Sequence, residues 1–139
     1  MTDTSERHEG GRFCGAVRYA LPGAPTYSAH CHCRSCQRAL GAGFATWSGV
    51  KPENFQVTKG QIAIYEPSPG VRRGFCQNCG TSLTYAGDDW SDAAVLSATL
   101  DDPGAANPTT NVYLEHQRPW GVLDEKLKQY TRFIVPERS

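Results

Sequence analysis

CHCRSC, residues 31–36, sets three cysteines and a histidine in six consecutive positions. Cys33 and Cys36 stand in C-x-x-C spacing, common among zinc ligands because the short turn lets two sulfurs face one ion. In an extended backbone Cys31 and Cys33 project to one face and His32 to the other. The hexapeptide can thus converge three thiolates on a point, with His32 and its flanking twin His30 turned away from them. Zinc suits such a donor set, since it tolerates sulfur, does no redox chemistry and prefers a tetrahedron of four ligands. Three protein ligands leave the fourth position open, as in catalytic zinc sites.

A second C-x-x-C, Cys76 and Cys79, lies in FCQNCG (75–80), where Gly80 relieves the turn after the second cysteine; Cys14 stands apart near the N-terminus. Two pairings compete. In the first, Cys33, Cys36, Cys76 and Cys79 close one four-cysteine ribbon, the structural centre of a non-catalytic module for protein interaction or thiol-adduct binding. In the second, Cys31, Cys33 and Cys36 make an open site, while Cys14 joins Cys76 and Cys79 at another. Spacing alone admits both.

The compartment favours metal over disulfides. The N-terminal MTDTSERHEGGR is polar and has no hydrophobic stretch, which speaks against a secretory signal and for the cytoplasm, where thiols stay reduced. The 139 residues fit one domain with a core of its own. Fourteen basic residues balance fourteen acidic ones, so no charge excess points to nucleic acid or anionic lipid, and no apolar run reaches membrane-spanning length. There is no G-x-S-x-G, no P-loop and no dinucleotide fingerprint.

Around the cysteines the chain reads as short β-type runs broken by Gly, Pro, Asn and Asp. Strands are expected at 16–21, 26–31, 44–50, 55–59, 62–66, 71–76, 82–86, 93–100, 111–116 and 128–133. One helix is expected over 34–41, with Ser35 as N-cap and Gly41 as its stop. Many short antiparallel strands predict an all-β domain over 10–133, with tails at 1–9 and 134–139. Asp101 and Asp102 in LDDPG read as turn residues. Trp47, Trp90, Trp120 and Tyr113 are candidate pocket walls, although aromatics on strands are ordinarily core. His116 reads as structural.

The segments GGRFCGAVRY (10–19), CHCRSCQRALG (31–41), RRGFCQNCGTSL (72–83), ATLDDP (98–103) and RPW (118–120) resemble the glutathione-dependent formaldehyde-activating family, the GFA or CENP-V domain. The resemblance implies a β-tent zinc fold and the second pairing of cysteines. Cys31, Cys33 and Cys36 match the catalytic zinc ligands; Cys14, Cys76 and Cys79 match three of four structural ones. That implies one or two Zn2+ per chain. The activity implied is a carbon–sulfur lyase of S-(hydroxymethyl)glutathione synthase type, with a glutathione-like thiol and a small aldehyde such as formaldehyde as partners.

Charge counting adds a requirement. Zinc with three thiolates carries about −1 and with a fourth about −2, so cations are needed nearby. Arg34, Arg38, Arg72 and Arg73 are the candidates for compensating that charge or binding glutathione carboxylates; otherwise they are solvated surface groups.

Two departures from the family pattern stand out. Arg12 occupies the place of the fourth structural cysteine, and a protonated guanidinium has no lone pair to offer a metal. Water, His8 or Glu9 completes that centre, or its metal is weak or absent, or Arg12 offsets thiolate charge. Asn111 and Val112 replace a frequent His-Ile, which bears on the substrate environment.

Overall fold

A computed structural model describes residues 7–132. The chain forms eleven strands and one helix among these residues: β1 His8–Gly11, β2 Arg18–Leu21, β3 Ser28–Cys31, α1 Arg34–Leu40, β4 Ala45–Val50, β5 Gln56–Lys59, β6 Ala63–Ser68, β7 Val71–Phe75, β8 Ser82–Gly87, β9 Ala93–Leu96, β10 Thr110–Val112 and β11 Lys128–Gln129. They make a small sheet, β1-β2-β5, and a large one, β11-β10-β3-β4-β9-β8-β7-β6. The expected all-β class stands, with α1 as the single α-helix among the described residues.

Strand alternation gives the large sheet two different faces. On one, Val50, Leu83 and Val95 meet Val17, Tyr19 and Leu21 of the small-sheet region to form the main core. On the other, Cys31, Ala45, Trp47, Ala94, Leu96 and Val112 form a second cluster with Cys36 of α1. The β7–β8 register shifts, Gly74 facing Thr84 while Phe75 faces Ser82, so Leu83 is the extra residue of a bulge. The bulge lets Leu83 enter the main core although Tyr85, two residues on, belongs to the second cluster.

Several sequence expectations need correction. Residues 8 and 9 do not belong to a tail: His8 pairs with Leu21 and Glu9 with Ala20 in β1. Residues 1–6 and 133–139, including most of the expected tails, lie outside the described residues. The strands are not all antiparallel, since β10 runs parallel to both β3 and β11. The expected strand 111–116 stops at Val112, because Tyr113 takes a left-handed conformation (φ 60°) and starts a 3-10 turn over Leu114–His116. The expected strand 93–100 likewise yields to a 3-10 turn at Ser97–Thr99. Asp101 and Asp102 serve the loop: Asp101 pairs with Arg18, and Asp102 accepts from Gly104 N at 3.1 Å.

Gly10 shows how tightly the small sheet is seated. A Cβ there would lie 2.5 Å from the Thr99 carbonyl oxygen and 2.5 Å from the Tyr19 hydroxyl. The Tyr19 hydroxyl is itself bonded to Thr99 Oγ1 at 2.6 Å. Gly10→Ala is expected to cost ~1–3 kcal/mol, the range for forced overpacking. Denaturant unfolding at fixed metal concentration checks this; an unchanged midpoint would contradict it.

Candidate metal centres and pocket

The sulfurs of Cys31, Cys33 and Cys36 gather within 4.8 Å of one another, and so, separately, do those of Cys14, Cys76 and Cys79. The closed ribbon of Cys33, Cys36, Cys76 and Cys79 is therefore overturned: each C-x-x-C contributes to its own triad. Local structure explains the first triad. Cys31 ends β3 on the face of the large sheet that carries the second cluster. Cys33, not Ser35, caps α1, its sulfur accepting from Cys36 N at 3.2 Å. Capping by sulfur brings residue 33 and the third helical residue, Cys36, to the same side. Gly41 ends the helix in the left-handed conformation (φ 65°), as expected.

These residues fit a metal. Cys36 and Cys31 sulfurs lie 3.6 Å apart, close to the ~3.8 Å that tetrahedral zinc–sulfur bonds of ~2.3 Å impose. Cys31 and Cys36 are buried and Cys33 is half-buried. Without a cation the charge is shared unevenly. Hydrogen bonds from Cys31 and Cys33, with help from Trp47 and the charge of Arg73, pull the Cys36 thiol down to about 2. Cys33 and Cys36 together push the Cys31 thiol far up.

The supports of this triad were only partly visible in the sequence. His30 faces away, as expected, and pairs through Nδ1 with Thr46 Oγ1 at 2.8 Å. His32 also points away from the sulfurs, but it is buried, its Nε2 lying 3.0 Å from Asn111 Oδ1. Asn111 is thus an interior brace and not a pocket residue, while Val112 and Tyr113 do line the pocket. Gln37, unremarked in the sequence, donates to the carbonyls of His32 at 2.8 Å and His116 at 2.9 Å. It ties α1 to the loop that carries Cys33.

The triad opens into a cleft of about 1080 Å³. Its walls include Tyr27, Trp47, Tyr65, Tyr85 and Trp90. Tyr65 has no local signal in the sequence, whereas Tyr27, Ala29 and Cys31 alternate along one expected strand and so share a face. Trp120 does not line the cleft; it is exposed, its ring edge near Gly43. Of the four candidate arginines, Arg34, Arg38 and Arg73 line the cleft. Arg73 sits 4.9 Å above the Tyr85 ring, with Nη2 3.9 Å from the Cys36 sulfur. Arg34 donates to Gln37 Oε1 at 2.6 Å. Arg72 is not brought in; strand alternation turns it outward to Asp88 at 3.0 Å.

At the second triad Cys76 is buried while Cys14 and Cys79 are exposed. Cys14 and Cys76 sulfurs are 4.0 Å apart. Asn78 donates to the Cys14 sulfur at 3.2 Å and, as the leading cause, lowers its pKa. The Thr81 hydroxyl, 3.1 Å from the Cys79 sulfur, leads the causes that bring that thiol down to about 6. Arg12 Nη2 donates to the same sulfur. Neither His8 nor Glu9 joins this cluster among the described residues.

Residues 7–116 match the family described as "Glutathione-dependent formaldehyde-activating enzyme". The chain belongs to this family. The GFA match covers both triads and every strand of the large sheet except β11. Among curated proteins, none matches this chain. A crystal structure of a Rhodobacter sphaeroides protein is similar, with a TM-score of 0.57 at 22% identity over 72% of this chain and 91% of that one. At that identity the likeness shows a shared fold. The GFA chain therefore carries two sulfur triads that could each hold a metal ion, one of them inside a cleft.

Proposed function

We propose that this chain is a carbon–sulfur lyase that joins a small aldehyde, formaldehyde in the family's own reaction, to glutathione or a related thiol, with Zn2+ held by Cys31, Cys33 and Cys36. The observation that carries the reading is a three-sulfur centre at the wall of a large cleft that also presents three arginines. In the synthetic direction the S–H bond breaks, a carbon–sulfur bond forms and the proton passes to the carbonyl oxygen. A zinc ion there would favour the thiolate form of a thiol and polarise a carbonyl.

The chain's own groups do the rest. Arg34, Arg38 and Arg73 would anchor substrate carboxylates, where a planar fork binds well. The same cations would offset the charge of the thiolates, as Arg73 beside Cys36 illustrates. The aromatic walls exclude water and hold the two reactants together, the main gain open to a catalyst of a reaction that also runs unaided. A compartment that keeps thiols reduced, the cytoplasm, suits both the cysteines and the thiol substrate. No described helix is long and apolar enough to cross a membrane.

The test is turnover of S-(hydroxymethyl)glutathione in both directions by zinc-loaded protein. Acceleration over the spontaneous rate is expected; its absence at full metal loading would refute the activity. Within that assay, Arg73→Met is expected to raise KM for glutathione about tenfold, the loss of one charge-assisted hydrogen bond. Arg72→Met, outside the cleft, is expected to leave KM unchanged. Equal effects of the two substitutions would contradict the assignment of Arg73.

A further inference from the structure

The second triad lacks a fourth metal-binding side chain among the described residues. A cation already stands there. Arg12 is only 5% exposed, and its Nη2 donates to the Cys79 sulfur. Its Nε and Nη1 are buried without a hydrogen-bond partner. Among the described residues no carboxylate pairs with it. The nearest acid in sequence, Glu9, is directed to Arg7 at 3.4 Å and Arg18 at 3.8 Å.

A guanidinium stays protonated, and a buried charge without a counter-charge is strongly unfavourable. The compensation within reach is negative charge on the sulfurs. A metal ion would draw on the same charge and would sit beside the guanidinium as a second cation in one small cluster. Arg12 is also fixed in place: its N–H donates to the Val17 carbonyl at 3.3 Å, and its carbonyl accepts from Gly15 N at 2.9 Å. The turn it occupies faces the Cys76–Thr81 knuckle, which is closed by Cys76 N to Thr81 O at 2.8 Å and Gly80 N to Cys76 O at 2.6 Å. The residues present thus do not suit a resident ion at this centre, although the sulfurs are suitably spaced.

We propose that Arg12 takes the place of the second metal ion. A guanidinium–thiolate cluster ties the Arg12–Gly15 turn to the knuckle, and the Cys14, Cys76 and Cys79 centre carries no metal. The inference concerns this centre alone and does not depend on the reaction proposed for the other.

Native mass spectrometry of protein produced with excess zinc, combined with iodoacetamide mapping of the folded protein, tests it. One zinc per chain is expected, with Cys14 alkylated equally before and after treatment with a chelator. Arg12→Cys, which restores four sulfurs, is expected to bring the count to two and to protect Cys14. Two ions in the unaltered chain, or protection of its Cys14 that a chelator abolishes, would overturn the proposal. Should Arg12→Cys fail to fold, the count and the Cys14 labelling of the unaltered chain still decide the matter. Formaldehyde–glutathione turnover does not enter either readout, so failure here and failure of the proposed activity are separable.

Discussion

Cys36→Ser is expected to strip metal from the Cys31, Cys33 and Cys36 centre and, on the proposed function, to return turnover to the spontaneous rate. Cys36 is 4% exposed, and its sulfur lies 3.6 Å from that of Cys31. Arg73 Nη2 stands 3.9 Å from the Cys36 sulfur. A serine hydroxyl keeps the shape but remains protonated near neutral pH, so two thiolates would have to hold the ion. Losing groups that merely orient ligands costs ~10–100-fold in metal affinity, and loss of a ligand itself is expected to exceed ~100-fold. The fold should survive, because the main core lies on the opposite face of the large sheet. Zinc content and kcat/KM, measured with circular dichroism as a control, check this. Full zinc occupancy in Cys36→Ser would contradict the ligand assignment.

The second large effect is expected one layer behind the sulfurs. Asn111 is 1% exposed and joins two distant pieces of chain: Oδ1 meets His32 Nε2 at 3.0 Å, and Nδ2 donates to the Asp124 carbonyl at 3.1 Å. Asn111→Leu removes both bonds and leaves a buried imidazole nitrogen unpaired. Each unsatisfied buried group costs about 1–3 kcal/mol, so a loss of ~2–4 kcal/mol is expected. That is a large part of the ~5–15 kcal/mol that usually holds a domain folded. His32 lies between two of the proposed ligands, Cys31 and Cys33, so a loosened ring should also weaken metal binding by ~10-fold. Unfolding curves and chelator competition on Asn111→Leu check the two effects. Unchanged stability would show that the pair contributes nothing, contrary to its burial.

The sequence made the sulfurs legible and left their surroundings dark, for physical reasons. C-x-x-C spacing and strand alternation are local, so a six-residue window shows that Cys31, Cys33 and Cys36 can converge, but choosing that triad over the four-cysteine ribbon required the family resemblance. Attaching Cys14 to Cys76 and Cys79 required the family resemblance, because a contact across more than sixty residues has no local signature. Ser35 is the expected N-cap because hydroxyls are the usual caps, but the sulfur of Cys33 caps the helix. Strand β1, with sequence HEGG, carries no β-forming pattern and exists because β2 offers it a partner. The parallel pairing of β10 with β3 brings Asn111 to His32, and no periodicity within either segment reports it. Arg72 and Arg73 were equivalent as sequence neighbours; alternation along β7 sends one to Asp88 and the other to the cleft.

X-ray absorption at the zinc edge of the purified protein, with and without glutathione, probes the three-sulfur centre most directly. Three sulfur neighbours per ion are expected without the thiol, with a change in the sulfur shell once glutathione is added. Four sulfurs from the outset, unmoved by glutathione, would contradict an open centre at Cys31, Cys33 and Cys36.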